Sequence, residues 1–173
     1  MKAFAVMLLV LATMGCGGAE EAAPPPPTLE AGALPYLSAR ERPLDAEALA
    51  ADSFQPVALA SLLEEAGYRT GSEREFFGHS REFERVVARA LAFRDAAGAQ
   101  SYLDWVARNP DDFLGRSERE TAPALGQGAV LFSLSRCDAC KKQQPTYLAA
   151  WRRDATVAFL LAGGPGADWG LDP

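Results

Sequence analysis

The sequence predicts an α+β domain, and three observations carry that prediction. Apolar residues recur at helical spacing in Pro56–Ala66 and again in Ala96–Arg108. Tyr68–Phe77 and Phe83–Phe93 read as two strands joined across Gly78–Ser80. Near the end, TYLAAW and ATVAFLLAG flank the polar group Arg152-Arg153-Asp154 and read as an apolar hairpin.

Taken in order, Leu44–Ala51 has helical composition, with Asp45 as its cap. In the next helix Pro56 suits the first helical position, where its missing N–H costs nothing. Val57, Ala60 and Leu63, with Leu59 and Leu62, supply the apolar spacing, and Gly67 supplies the stop. Tyr68–Phe77 alternates as a polar-faced strand. Phe83–Phe93 fits two templates. Phe83, Val87, Leu91 and Phe93 share one strand parity, whereas Phe83, Val86, Val87, Ala90 and Leu91 also fit a 3.6-residue period. The hairpin-like connection before it favours the strand. Asp95 caps the helix Ala96–Arg108, whose apolar face is Ala99, Tyr102, Leu103 and Val106, and Asn109-Pro110 ends it. Residues 115–126 read as loop. Ser117–Glu120 has the form of a capping box, but Pro123 follows too soon for a long helix. Gly128–Ser135 reads as a buried strand, and Gly-rich residues after 164 as a loose tail.

The chain has 173 residues, is 49% hydrophobic and carries a net charge of −6, with 23 acidic against 17 basic side chains. Basic residues alternate with acids and form no stripe. Nucleic-acid binding, which depends on neutralised phosphates, is not expected. The first residues, MKAFAVMLLVLATMGCGG, give a positive Lys2 and an apolar run Ala3–Leu11. That run is shorter than the roughly 20 residues a bilayer span requires and has the layout of an export signal. Leu11-Ala12-Thr13-Met14-Gly15-Cys16 resembles a bacterial lipoprotein lipobox, with Thr13 departing from the usual Leu. The resemblance implies cleavage before Cys16 and diacylation of its thiol, and hence a partner in the membrane. Loss of Lys2 with the leader would move the charge from −6 to −7. The expected organisation is a signal peptide over 1–15, a lipidated cysteine and flexible Ala/Pro-rich linker over 16–35, one domain over 44–164, and a tail over 165–173. The four prolines Pro24–Pro27 favour an extended spacer.

Three readings compete for Cys137 and Cys140. Outside the cytoplasm such a pair normally oxidises, and a plain disulfide stiffening a loop is favoured. A zinc site needs four ligands, but the only histidine is His79 and no second cysteine pair exists. CDACKKQQP is similar to the CxxCxxxxP run of membrane-tethered thioredoxins, with Val130–Leu134 as the preceding strand. That similarity implies Cys137 as nucleophile and Cys140 as resolving thiol. Against it, Arg136 stands where those proteins usually carry tryptophan, and the 28 residues after Pro145 are too few for the rest of that fold. The two functions differ structurally: an oxidoreductase needs Asp138–Trp151 helical, whereas a binding domain needs Thr146–Gly163 as a strand hairpin.

The element order, with LGQGAVLFS, YLAAWRRDATVAFLLAG and Phe93–Ala99 followed by Tyr102, resembles the PsbP-like fold of small secreted bacterial lipoproteins of the LpqN type. The likeness covers Leu59–Gly164. It implies an antiparallel sheet backed by helices and brings no shared catalytic residues. Among other candidates, the acid pairs Glu64-Glu65, Glu73/Glu75 and Asp111-Asp112 read as solvated faces or caps. No nucleophile motif or phosphate loop is present. Trp105, Trp151 and Tyr147 could line a ligand groove, although core packing is the commoner use of such residues. The expected function is a membrane-anchored extracytoplasmic lipoprotein with a non-enzymatic binding or accessory role at the envelope, acting on an envelope protein or small ligand. The alternative is a tethered thiol–disulfide oxidoreductase. No cofactor or metal is expected.

Overall fold

The computed structural model describes Pro26 and residues 28–34, 37–78, 84–122, 124–134 and 145–164. Seven strands form one antiparallel sheet: β1 (Ser38–Leu44), β2 (Tyr68–Phe77), β3 (Arg85–Phe93), β4 (Ser117–Glu120), β5 (Gln127–Leu134), β6 (Thr146–Arg153) and β7 (Thr156–Gly163). Their spatial order is β1-β2-β3-β7-β6-β5-β4. Among the described residues four helices accompany them: α1 (Ala46–Ala51), α2 (Pro56–Glu65), α3 (Ala96–Arg108) and α4 (Asp111–Leu114). The α+β class, a sheet backed by helices, is the one the sequence predicts.

Local chemistry sets the element ends. The Asp45 carboxylate accepts from Ala48 N at 2.7 Å and caps α1, and Asp95 accepts from Gly98 N at 2.8 Å and caps α3. Gly67 has φ +66° just past α2, the left-handed stop that glycine adopts without penalty. Asp154, at φ +52°, turns the two-residue connection from β6 to β7. Strand, not helix, is the conformation of Arg85–Phe93; Phe83 lies outside the described residues. The sheet decides between the templates by flanking this segment with β2 and β7 and using both of its faces.

Three elements differ from the sequence reading. Leu44 ends β1 rather than opening a helix, so the domain begins before residue 44. β1 reads SARERPL, an edge strand with one buried residue, and so shows no apolar alternation. Ser117–Glu120 is the opposite edge strand rather than a capping box in a loop: Ser117 Oγ donates to Asp111, and Glu120 accepts from Ser133 Oγ, both at 2.6 Å. In α2, Val57 and Ala60 face solvent, and the inward side is Leu59, Leu63 and the following Ala66.

The main core lies between the helices and one face of the sheet. Leu59, Leu63, Tyr102, Leu103 and Val106 meet Leu91, Val157, Leu148 and Phe132 there. Gly98 makes the close approach of α3 to α2: a Cβ on it would lie 1.9 Å from the Ala66 carbonyl oxygen. A second, smaller cluster on the other face joins Phe76, Val86 and Ala162 to Leu34 and Leu37. Part of the expected linker therefore lies on the sheet. Ser72 Oγ donates to the Pro26 carbonyl at 2.5 Å, and Arg74 donates to the Leu29 carbonyl. No helix among the described residues is long and apolar enough to cross a membrane.

Candidate binding cleft

Strand register builds the site row by row on the helix side of the sheet. One row, Leu44–Gly71–Leu91–Val157, is covered by the helices. The next is Arg42–Glu73–Arg89–Phe159, and the one after is Arg40–Glu75–Val87–Leu161. Beyond the first row the helices no longer roof β1–β3, and a cleft of about 350 Å³ opens. Its floor is the strand residues of the two outer rows and Arg85, and its rim is Asp52, Asp112 and Phe113. The volume falls in the ordinary range for small-molecule sites, about 300–1,000 Å³.

Four side chains close a ring at the inner end. Arg42 Nε and Arg89 Nε donate to opposite oxygens of Glu73, each at 2.6 Å. Arg42 Nη2 (2.7 Å) and Arg89 Nη2 (2.6 Å) both donate to Asp52 Oδ2. Each guanidinium thus bridges the same two carboxylates, a geometry suited to arginine's planar fork. Glu73 and Arg89 are nearly enclosed, with side chains 7% and 10% exposed. Burial pushes the Glu73 carboxyl up, but the hydrogen bonds and charges of Arg42 and Arg89 outweigh it and hold the group below its ordinary value. The Glu73 bond raises Arg42 in turn. Burial of such ions costs about as much as their attraction returns, so the ring fixes geometry more than it adds stability.

An aromatic run reaches the cleft from the core. Phe93, Tyr102, Trp105, Phe113 and Phe159 follow one another at centroid separations from 4.9 to 6.3 Å. The Arg89 guanidinium carbon lies 5.5 Å from the centre of Phe159 and covers that ring. Tyr102 is wholly buried, its hydroxyl has no hydrogen-bond partner among the described residues, and burial pushes its pKa up to about 12. On the rim, Asp112 accepts from Ser53 Oγ at 2.6 Å and from Gln55 Nε2 at 3.3 Å. Those bonds tie the α1–α2 connection to α4. Farther out, Arg85 Nε donates to Glu75 at 2.7 Å. A second, more open hollow of about 340 Å³ continues past Arg85, Phe113 and Leu161 toward Leu134 and Thr146.

The sequence-predicted sites distribute differently. Cys16, Cys137, Cys140 and His79 lie outside the described residues. Thr146–Arg153 and Thr156–Gly163 form the strand hairpin named above as the mark of a binding domain, so Thr146–Trp151 is not helical. Trp105, Trp151 and Tyr147 do not come together. Trp105 is in the core, while β6 alternation puts Tyr147 and Trp151 on the face away from the helices. The acid pairs separate too. Glu64 and Glu65 are solvated as expected, but Glu73 is buried in the ring, and Asp112 is a hydrogen-bonded rim residue. The clue lay in polar letters spaced by two or four: within each of the pairs Arg40/Arg42, Glu73/Glu75 and Arg85/Arg89 the two residues share one strand parity.

No protein-family model matches the chain, and no curated protein matches it. Among solved structures it is similar to the extracellular domain of PknH from Mycobacterium tuberculosis. The TM-score is 0.49 at 13% identity, covering 74% of this chain and 76% of that one.

Proposed function

We propose that this protein is an extracytoplasmic binding domain, held to a membrane through lipid on Cys16, that receives a small ligand in the cleft beside the Arg42–Glu73–Arg89–Asp52 ring. The observation that carries the reading is the ring together with the space next to it. Six charged side chains are fixed by one another in and around an open concavity: the four of the ring, and the Arg85–Glu75 pair. Preorganised polar groups at a concave surface are what a binding site needs, since little ordering remains to be done when the ligand arrives. The leader, the lipobox-like run and the PsbP-like string of elements support the envelope setting.

The oxidoreductase alternative has less support. It requires a helix through Trp151, whereas Thr146–Trp151 is strand. Reduction of insulin disulfides by the purified protein, abolished by Cys137→Ser, would restore it. The anchor is tested by metabolic labelling with a tagged fatty acid. Wild type takes the label and sediments with membranes, and Cys16→Ala does neither. Equal labelling of the two removes the anchor from the proposal.

A further inference from the structure

The cleft's own charges indicate the class of ligand. Its ionisable lining comprises Arg40, Arg42, Arg85 and Arg89 against Asp52, Glu73, Glu75 and Asp112, so four positive charges face four negative ones. The lining itself therefore adds no net charge of either sign to draw in a charged ligand. Short-range capacity is high. Among the described residues the Arg40 side chain makes no ion pair or hydrogen bond, and the Arg85 side chain is engaged only through Nε. A guanidinium offers five N–H donors, so most of those on these two residues are unspent. On the acceptor side, among the described residues, Asp52 uses only Oδ2 and Glu75 only Oε1. Between these groups lie Val87, Leu161 and Phe113, an apolar strip in a polar surround.

Resting on the reading of the cleft as the ligand site, we propose that its ligand is an uncharged, polyhydroxylated molecule: a short neutral saccharide. Each hydroxyl both donates and accepts, which matches a lining where unspent donors and acceptors sit side by side. The C–H faces of a sugar ring match the strip at Phe113 and Leu161. An anion would be drawn to Arg40 but repelled by Glu75, its direct register neighbour on β2. A cation meets the reverse. Only a ligand without net charge gains from both kinds of group and loses to neither.

The test is a titration of isotope-labelled full chain in detergent, read by NMR. Neutral probes are maltose, cellobiose and chitobiose; charged probes are glucuronate and palmitate. The expected result is that at least one neutral disaccharide shifts the amide signals of Arg40, Glu75 and Phe113. Its affinity should be unchanged over a tenfold range of salt, because a neutral ligand feels no screening. Arg40→Ala and Glu75→Gln, both outside the buried ring, should each weaken it about tenfold, as one hydrogen bond to a charged group is worth. Binding confined to glucuronate or palmitate, and falling as salt rises, overturns the saccharide assignment but keeps the cleft as a site. Saccharide binding that both variants leave intact overturns it as well. If no probe shifts any cleft signal, the cleft reading falls too.

Discussion

The register row through Arg89 crosses six of the seven strands. On β1–β3 it carries Arg42, Glu73 and Arg89; on β7, β6 and β5 it carries Phe159, Ala150 and Val130. The backbone is continuous and the face is the same, yet one half is ionic and the other apolar. The difference lies in the roof. α3 packs over β5–β7, and α4 over β6, so this half stays dry along several rows. On the β1–β3 side α1 and α2 cover the row at Leu44 and Leu91, and the next row meets water at its rim. Where water reaches, apolar side chains gain little, and paired charges can hold their positions at small net cost. The comparison separates two kinds of order: close packing in one half, and a directional bonded ring in the other.

The largest expected effect strikes the apolar half. Leu148 is fully enclosed on β6, and Leu148→Ala removes its transfer energy and leaves a cavity. A loss of about 4 kcal/mol is expected in urea unfolding. A loss under about 1 kcal/mol would mean that this half is not tightly packed. In the ionic half, Glu73→Ala leaves Arg89 enclosed with only Asp52 as partner. A cost of about 3 kcal/mol follows, although Arg42 is open enough to hydrate. Replacing two members together, Glu73→Leu with Arg89→Met, keeps the Arg42–Asp52 pair and should recover most of that loss. If the double variant is as weak as the single one, the ring contributes more than its orientation.

Gly98 tests the seam where α2 and α3 form the roof. Alanine normally improves a helix interior by about 1 kcal/mol over glycine. Here its methyl would meet the Ala66 carbonyl, so Gly98→Ala should destabilise by about 2 kcal/mol. Differential scanning calorimetry gives the sign directly.

How much of this was legible in the sequence follows the same division. The apolar half announces itself: Ala99, Tyr102, Leu103 and Val106 recur at helical spacing, and the β6–β7 pair alternates around a polar turn. The ionic half is silent to any hydrophobic pattern. β1 and β4 are edges, one side of each unpaired, and their letters SARERPL and SERE carry charge instead of alternation. Glu73 and Glu75 look solvated because nothing local reveals that Arg42 and Arg89 arrive from 31 residues before and 16 residues after Glu73. The cleft is made by long-range strand pairing, and the chain reveals it only when parities are compared across three strands.

Acidity sharpens the contrast further. The folded-state pKa of Glu73 lies below its unfolded value, so its contribution to stability is present above the ordinary 4.5 and is lost as pH falls through the folded value. Wild type should be more stable than Glu73→Gln at neutral pH, and their melting temperatures should converge in acid. Parallel curves would show that the carboxylate does not need its charge there. The smallest effect is expected at Tyr102, where the buried hydroxyl lacks a partner among the described residues. Tyr102→Phe should stabilise the fold by about 1 kcal/mol, measurable as a raised urea midpoint. A loss instead would reveal a hydrogen bond to that oxygen.

The strap of Pro26 and residues 28–34 over β2 has a consequence for reach. Under the proposed attachment at Cys16, the distance from bilayer to body is bounded by the length of chain before Pro26, whose carbonyl Ser72 holds. Ten Cα–Cα steps join those two points. Fully extended they span at most about 35 Å, at roughly 3.5 Å apiece. The body would ride within about one lipid-leaflet-pair thickness of the surface, close enough to meet headgroups and whatever is bound among them.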